Sequence, residues 1–356
     1  MSATEKLIRT ICLDNLSQKL SGQTLFIIGN GFDLMHRVKS SYYHFRDSIG
    51  KRSIVSETME SYIRKPDLWG DFENNLAYLD RAMMMGMLDD WLEDFGVLEQ
   101  DDENFSAADF FAALDTATQA IDVLTYQLPK RFRLWVNSLT VDASYAPLGP
   151  ILQKGSQFIT FNYTEFLETI YGIPASKILY IHGDRRDKKQ KLVLGHGRDE
   201  EEVFNEWRQA NLNRREYQPI RYGRKGRPYR NDNPVYLAYF LQDDRKGNWK
   251  NQTRYDAITH TRRLIEEYYS DSAKKTQNTI ALNRAIFESL GSIKDIVVIG
   301  HSLSDVDHSY FHEIRRYVSN NHWYISYYDE RSLQGIRAFV GEMDIPRNQV
   351  SIFPVS

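Results

Sequence analysis

The chain has 356 residues, is 42% hydrophobic and carries a formal charge of −3, which describes a globular protein long enough to bury a substantial core and without a general pull toward nucleic acid. Its one cysteine, Cys12, excludes an intramolecular disulfide framework and a cysteine-built zinc cage, and fits a reducing compartment. No apolar run approaches the ~20 residues of a membrane span, and the N-terminus mixes Glu5, Lys6 and Arg9 into its apolar residues, so a cytoplasmic protein with no membrane partner is expected.

The first element in chain order is Thr24–Ile28, an apolar, β-rich run that breaks into Gly29-Asn30-Gly31-Phe32-Asp33. Such a run reads as a buried strand, and its glycines permit a tight turn and close approach of bare N–H groups to a phosphate. A complete dinucleotide fingerprint has a third glycine where this chain has Leu34. Residues 51–140 are mostly helical in pattern, with Phe72, Leu76, Leu79 and Met83 at mixed three- and four-residue spacing. Within them, 88–104 is a purely acidic stretch that includes Asp89, Glu93, Glu99, Asp101 and Asp102.

Strand patterns return at 157–161, 177–181 and 192–194, each followed by turn residues. Residues 200–290 hold a strand candidate at 235–241 and helices near 254–270 and 276–290. They also hold a basic stretch at 208–230, where Arg208, Arg221, Arg224, Lys225, Arg227 and Arg230 interleave with Tyr217, Tyr222 and Tyr229. Both charged stretches read either as solvated surface or, for the basic one, as a contact for phosphates, nucleic acid or an acidic partner. Asp295–Ile299, 323–328 and 350–353 complete the strands.

This alternation predicts an α/β fold: a Rossmann-like, mostly parallel sheet with two largely helical insertions. The nucleotide-binding core is discontinuous, over 20–50, 151–200 and 291–356. The insertions are 51–150, helical, and 201–290, mixed and mainly helical. By position the insertions are places for assembly, as a homo-oligomer, or for sensing.

Four motifs stand where strands end: Gly29-Asn30-Gly31-Phe32-Asp33, Thr160-Phe161-Asn162-Tyr163, Ile181-His182-Gly183-Asp184 and Gly300-His301-Ser302-Leu303. In open α/β sheets ligands bind beyond the carboxyl ends of the strands, so these residues are expected to converge. Asn162 can bond a ribose hydroxyl or orient water, or it caps the next helix. His182 suits a general base at neutral pH, or it is a satisfied turn histidine. His301, Asp305, Asp307, His308 and His312 invite a divalent metal for phosphodiester hydrolysis, but Ser304 or Asp305 also reads as a helix N-cap, and no metal is expected. Asp71 and Glu73 either face the cleft or cap an inserted helix.

The segments TLFIIGNGFDLMHRVKSSYYHF at 24–45, Trp69-Gly70-Asp71-Phe72-Glu73, FNYTEFLETIYG at 161–172, IHGD at 181–184, LVLGHG at 192–197 and IGHSLSDVDHSYF at 299–311 resemble the bacteriophage abortive-infection AbiH family, in order and over nearly the whole chain. The succession Gly-x-Gly, Asn after a strand, His-Gly and Gly-x-Ser-Leu is also similar, more distantly, to sirtuin-like NAD-consuming domains. That second resemblance implies catalytic roles for Asn162 and His182. It implies nucleotide contacts from Gly29, Asn30, Gly31, Gly300, His301 and Ser302, with Arg46 in the position of a Phe-Arg pair after the glycine loop. Asp329 stands where a ribose-binding residue is expected, and Asp33 either contributes field or ribose contacts or caps the next turn.

The chain departs from sirtuins in its Gly-Asn-Gly loop, in Phe32-Asp33 where a small hydroxyl residue is usual, and in lacking the four-cysteine module of the deacylases. What remains implied is cleavage of the nicotinamide–ribose bond. The expected function is a cytoplasmic antiphage-defence effector, an NAD nucleosidase whose substrate NAD becomes ADP-ribose and nicotinamide, with a phage-derived trigger or a defence partner protein as its expected partner. The alternatives are a metal-dependent nuclease using 301–312 and 208–230, and a sensor that binds NAD, ADP-ribose or a related signal without turnover.

Overall fold

The computed structural model describes residues 8–63, 65–98, 103–241, 252–318 and 320–355. Its strands are β1 (Arg9–Thr10), β2 (Thr24–Ile28), β3 (Gly155–Thr160), β4 (Ile178–Tyr180), β5 (Ile220–Tyr222), β6 (Pro228–Arg230), β7 (Asp295–Ile299), β8 (His322–Tyr327) and β9 (Val350–Pro354). Seven of them form one parallel sheet in the order β1-β9-β8-β7-β2-β3-β4. Apart from the short edge strand β1, the chain winds outward from β2 through β3 to β4. It then crosses to the other flank at β7 and continues through β8 to β9. This is the doubly wound Rossmann order, and its topological switch point lies between β2 and β7. All five residues of β2 and of β7 are buried, as central strands covered on both faces require.

The chain divides into two compact units. One comprises the described parts of Met1–Ser48, Phe132–Gly197 and Lys274–Ser356 and contains the parallel sheet. Its apolar cluster includes Phe287, Leu290, Tyr310, Phe311, Trp323 and Phe339. The other comprises the described parts of Ile49–Arg131 and Arg198–Ala273, so the larger parts of the two expected insertions share one unit, while 132–150 and 274–290 belong with the sheet. There Tyr268 donates from its hydroxyl to the Leu76 carbonyl over 2.8 Å. This unit also carries the antiparallel hairpin β5–β6 within the basic stretch.

Two expected strands are not strands. Residues 235–241 begin as the helix Pro234–Tyr239: Asn233 caps it, accepting from the Val235 and Tyr236 N–H groups, and Pro234 occupies its first turn. A capping Asn followed by Pro specifies a helix start more strongly than the β-propensity of Val and Tyr specifies a strand. Residues 192–194 form a loop whose Val193 N–H donates to the His182 carbonyl over 2.9 Å. The helix expected over 276–290 is broken into Thr276–Leu282 and Arg284–Glu288, with Asn283 between them. Of the acidic stretch, Glu99, Asp101 and Asp102 lie outside the described residues. Among the described residues no helix is long and apolar enough to cross a membrane.

Candidate functional site

The four motifs leave the sheet at one level. Ile28 is in register with Ile299 on one side and Thr160 on the other, and Thr160 with Tyr180. The ladder continues one step beyond the strands: Gly29 N–H donates to Ile299 O (3.0 Å), Phe161 N–H to Ile28 O (2.8 Å) and Ile181 N–H to Thr160 O (3.0 Å). Asn162 and His182 follow two residues after registered partners. They therefore stand on neighbouring strand ends at the carboxyl edge, beside the switch point.

The glycines are explained by contact between loops. A Cβ on Gly29 would lie 2.5 Å from the His301 Cα, and one on Gly31 would lie 2.6 Å from the Gly300 Cα. Gly300 has φ +64°, and a Cβ there would meet the Phe32 nitrogen at 2.3 Å. Gly31 N–H donates to Gly300 O over 2.7 Å. The N–H groups of Gly29 and Gly31, expected to face a phosphate, are thus bonded to the neighbouring β7 segment.

Two buried polar groups flank this contact. In the first, the Asp33 carboxylate accepts from Asn162 Nδ2 (2.8 Å) and Thr164 Oγ1 (2.9 Å). Burial pushes the Asp33 carboxyl up to about 7, against the lowering pull of Thr164, Asn162 and the more distant Arg185. Arg185 is held by a two-bond fork to Glu165 (2.7 and 2.6 Å) and by the Val136 and Leu139 carbonyls. Asp33 therefore acts through its side chain on the β3 end instead of capping the next turn.

In the second group, Asp307 gathers three partners. Lys274 Nζ lies 3.0 Å and His182 Nε2 3.2 Å from its Oδ1, and His301 Nε2 lies 3.5 Å from its Oδ2. Burial alone would raise the Asp307 carboxyl, but the Lys274 ammonium, His182 and His301 together hold it well below the carboxylate range. Burial pushes His301 down to about 4, so its ring is neutral at physiological pH. The Leu303 N–H donates to His301 Nδ1 over 2.9 Å, which places the ring proton on Nε2, facing Asp307. The Phe161 ring meets both histidines edge-on, at 5.1 Å for His182 and 4.3 Å for His301.

Asn162 and His182 thus belong to different hydrogen-bonded groups, and both side chains are buried. Of the other expected contacts, Asn30 donates from Nδ2 to Ser40 O (2.9 Å), and Ser302 is exposed. Arg46 is half-buried in the last turn of the helix Tyr42–Ile49. Asp329 is exposed and caps the helix Glu330–Glu342, accepting from Ser332 N–H over 2.7 Å. Ser304 precedes a short 3₁₀ turn without a side-chain capping bond, and Asp305 is the first residue of that turn. In the other unit, Asp71 precedes the helix Phe72–Asn75 without capping it and accepts from Asn74 Nδ2 (3.1 Å).

Sequence reasoning missed Thr164 and Lys274 as members of the site. Thr164 sits two residues after Asn162 in a quoted motif, so alternation along the strand end was an available signal. Lys274 lies between helices with no motif around it. Its side chain is fully buried, and only the fold reveals that.

A model of the family described as Bacteriophage abortive infection AbiH matches residues 25–327. No curated protein and no solved structure matches the chain.

Proposed function

The chain belongs to the bacteriophage abortive infection family AbiH, and from that premise we propose that it is a defence effector that hydrolyses NAD to ADP-ribose and nicotinamide. The observation that carries the reading is the common level of the Gly29, Asn162, His182 and Gly300 segments at the carboxyl edge of a doubly wound sheet, beside its switch point. The chemistry comes from the resemblance to sirtuin-like domains.

Nicotinamide is a cationic leaving group. The C1′–N bond breaks with its electron pair going to the pyridine nitrogen, and the ribose passes through an oxocarbenium-like state. Water then adds to C1′ and gives up a proton. With its Nδ2 on Asp33, Asn162 offers its carbonyl oxygen to orient that water or a ribose hydroxyl. His182 has Nε2 on Asp307, so proton transfer falls to Nδ1, with Asp307 as the orienting carboxylate. Both side chains are buried, so the reading requires the crevice to open as the dinucleotide enters.

The rival metal-dependent nuclease draws less support. His308, its central residue, has Nδ1 2.6 Å from Glu342 Oε1 and Nε2 3.0 Å from Leu303 O, so both ring nitrogens already face acceptors. The test is to incubate the purified protein with NAD and follow nicotinamide release, comparing Asn162→Ala and His182→Ala. Release that both variants abolish supports the hydrolase. NAD binding by calorimetry without release selects the sensor, and release unchanged in both variants overturns the reading.

A further inference from the structure

A cavity of about 420 Å³ opens at the other end of the sheet, on the first residues of β8 and β9 beside β1. It lies in the same unit as the crevice but at the amino ends of the strands, and it shares none of the crevice residues. Its floor follows from register. Arg9 pairs with Ser351, and Ser351 with Tyr324, so these three side chains share one face of the sheet. Ile11 and His322, two residues along their segments, fall on the same face. Ile11, Tyr324, Val350 and Ser351 are buried. The His322 ring lies 4.6 Å from that of Tyr324, and its Nε2 is 2.9 Å from Ser351 Oγ.

The rim is cationic. Arg9, Lys19 and Arg347 reach the cavity from three separate segments: β1, the end of the helix Leu13–Lys19, and the 3₁₀ turn before β9. Asn348 adds an amide. One carboxylate on this face, Asp295, is in register with His322. It is already taken by Ser21, accepting from its N–H (2.7 Å) and hydroxyl (2.6 Å). Burial is the main cause that lowers the basicity of His322; Asp295 pulls the other way, and Lys19 and Arg9 add to the lowering. Three cations around one concavity repel each other unless an anion joins them, and its size is within the range of small-ligand pockets.

We propose that this cavity is a second ligand site, which binds a small phosphorylated molecule. Arg9, Lys19 and Arg347 hold the phosphate, and the Ile11 and Tyr324 floor takes an uncharged body of aromatic or apolar character. The proposal is independent of the crevice chemistry.

The test titrates the full-length protein with adenosine monophosphate and with adenosine by calorimetry. It is repeated on Arg9→Ala, Arg347→Ala and, for the crevice, Asn162→Ala. The expected result is saturable binding of the monophosphate, weakened about tenfold by each arginine change, as loss of one charge-assisted contact implies, and unchanged by Asn162→Ala. The monophosphate should also shield Lys19 from an amine-reactive label read by mass spectrometry. That readout uses the unaltered chain and does not depend on the variants folding. Absence of binding, equal binding of adenosine, or binding that survives both arginine changes while Lys19 stays reactive overturns the proposal.

Discussion

Gly31 and Gly300 meet backbone to backbone, with the Gly31 N–H donating to the Gly300 carbonyl over 2.7 Å. This bond joins the loops that follow the two strands flanking the switch point, and it needs both residues to lack a side chain. A Cβ on Gly300 would stand 2.3 Å from the Phe32 nitrogen and 2.5 Å from the Gly31 carbonyl carbon, with φ at +64° besides. Backbone cannot yield as a flexible side chain does. Gly300→Ala should therefore destabilise the fold by more than the ~1 kcal/mol of left-handed strain alone. Gly149→Ala, where nothing lies within 4 Å, should be neutral within ~0.5 kcal/mol. Urea melts of the two variants separate the cases, and equal stabilities would refute the loop–loop account.

Lys274 and Asp307 form a buried ion pair, with side chains 0% and 7% exposed. Removing one member leaves the other charged and without its main compensation, so Lys274→Met should cost ~3–5 kcal/mol. The double variant Lys274→Met/Asp307→Leu should cost clearly less than the two single changes added together, and a strictly additive cycle would deny the coupling. The pH response follows from the sign of the shift. The Asp307 carboxyl is depressed in the fold, so its contribution is present above the ordinary carboxylate range and is lost only in strong acid. Without the ammonium its pKa rises, and the acid limb of the stability curve should move to higher pH.

The positions of β2, β3, β4, β7, β8 and β9 were legible because central parallel strands are near-continuous apolar runs that end in glycine or polar turns. The order of the strands was not written locally. It depends on which flank the chain joins after its long excursion from 198 to 273, a choice made by packing. β1 escaped notice because its two exposed residues carry no alternation. The four site motifs were legible because each follows the end of an apolar strand, as Asn162 does β3 and His182 does β4. Their partners were not. Asp33 lies 129 residues from Asn162, and Lys274 lies 33 from Asp307, so no local pattern joins them. The glycines carried a real signal of close approach. What approaches them is the facing glycine loop, and a sequence that names only the small residue does not say which.

The tautomer of His301 is open to direct measurement. Its Nδ1 accepts the Leu303 N–H over 2.9 Å, and its Nε2 faces Asp307 Oδ2 at 3.5 Å. Nitrogen-15 spectra should show Nδ1 as the bare, pyridine-like nitrogen and Nε2 as the protonated one. Burial lowers the ring from 6.5 to about 4, so this pattern should persist at pH 5, where an exposed histidine is mostly charged. The folded state then binds fewer protons than the unfolded one between those two values. The His301 contribution to stability is therefore retained above the unfolded pKa and falls as pH drops toward 4. A cationic His301 ring at pH 6 would contradict the arrangement around Asp307.

Asp33 gives the opposite slope. Its carboxyl rises from 3.8 to about 7 in the fold, chiefly through burial. Between these values the folded protein keeps a proton that the unfolded chain releases, so stability falls as pH rises, by up to ~1.4 kcal/mol per unit, and levels off above about pH 7. Asn at position 33 has nearly the same shape and cannot ionise. It can accept from Thr164 while the Asn162 amide turns to present its carbonyl oxygen. Asp33→Asn should accordingly be less stable than the parent in mild acid, where the parent's carboxyl is neutral. It should gain on the parent steadily as pH approaches 7. The check is a set of paired urea melts from about pH 4 to about pH 8. A difference between the two proteins that does not change with pH would mean that the carboxyl is ionised throughout. The Asp33–Asn162–Thr164 group would then be an ordinary charged acceptor site, with no proton held at neutral pH beside the proposed water-orienting amide.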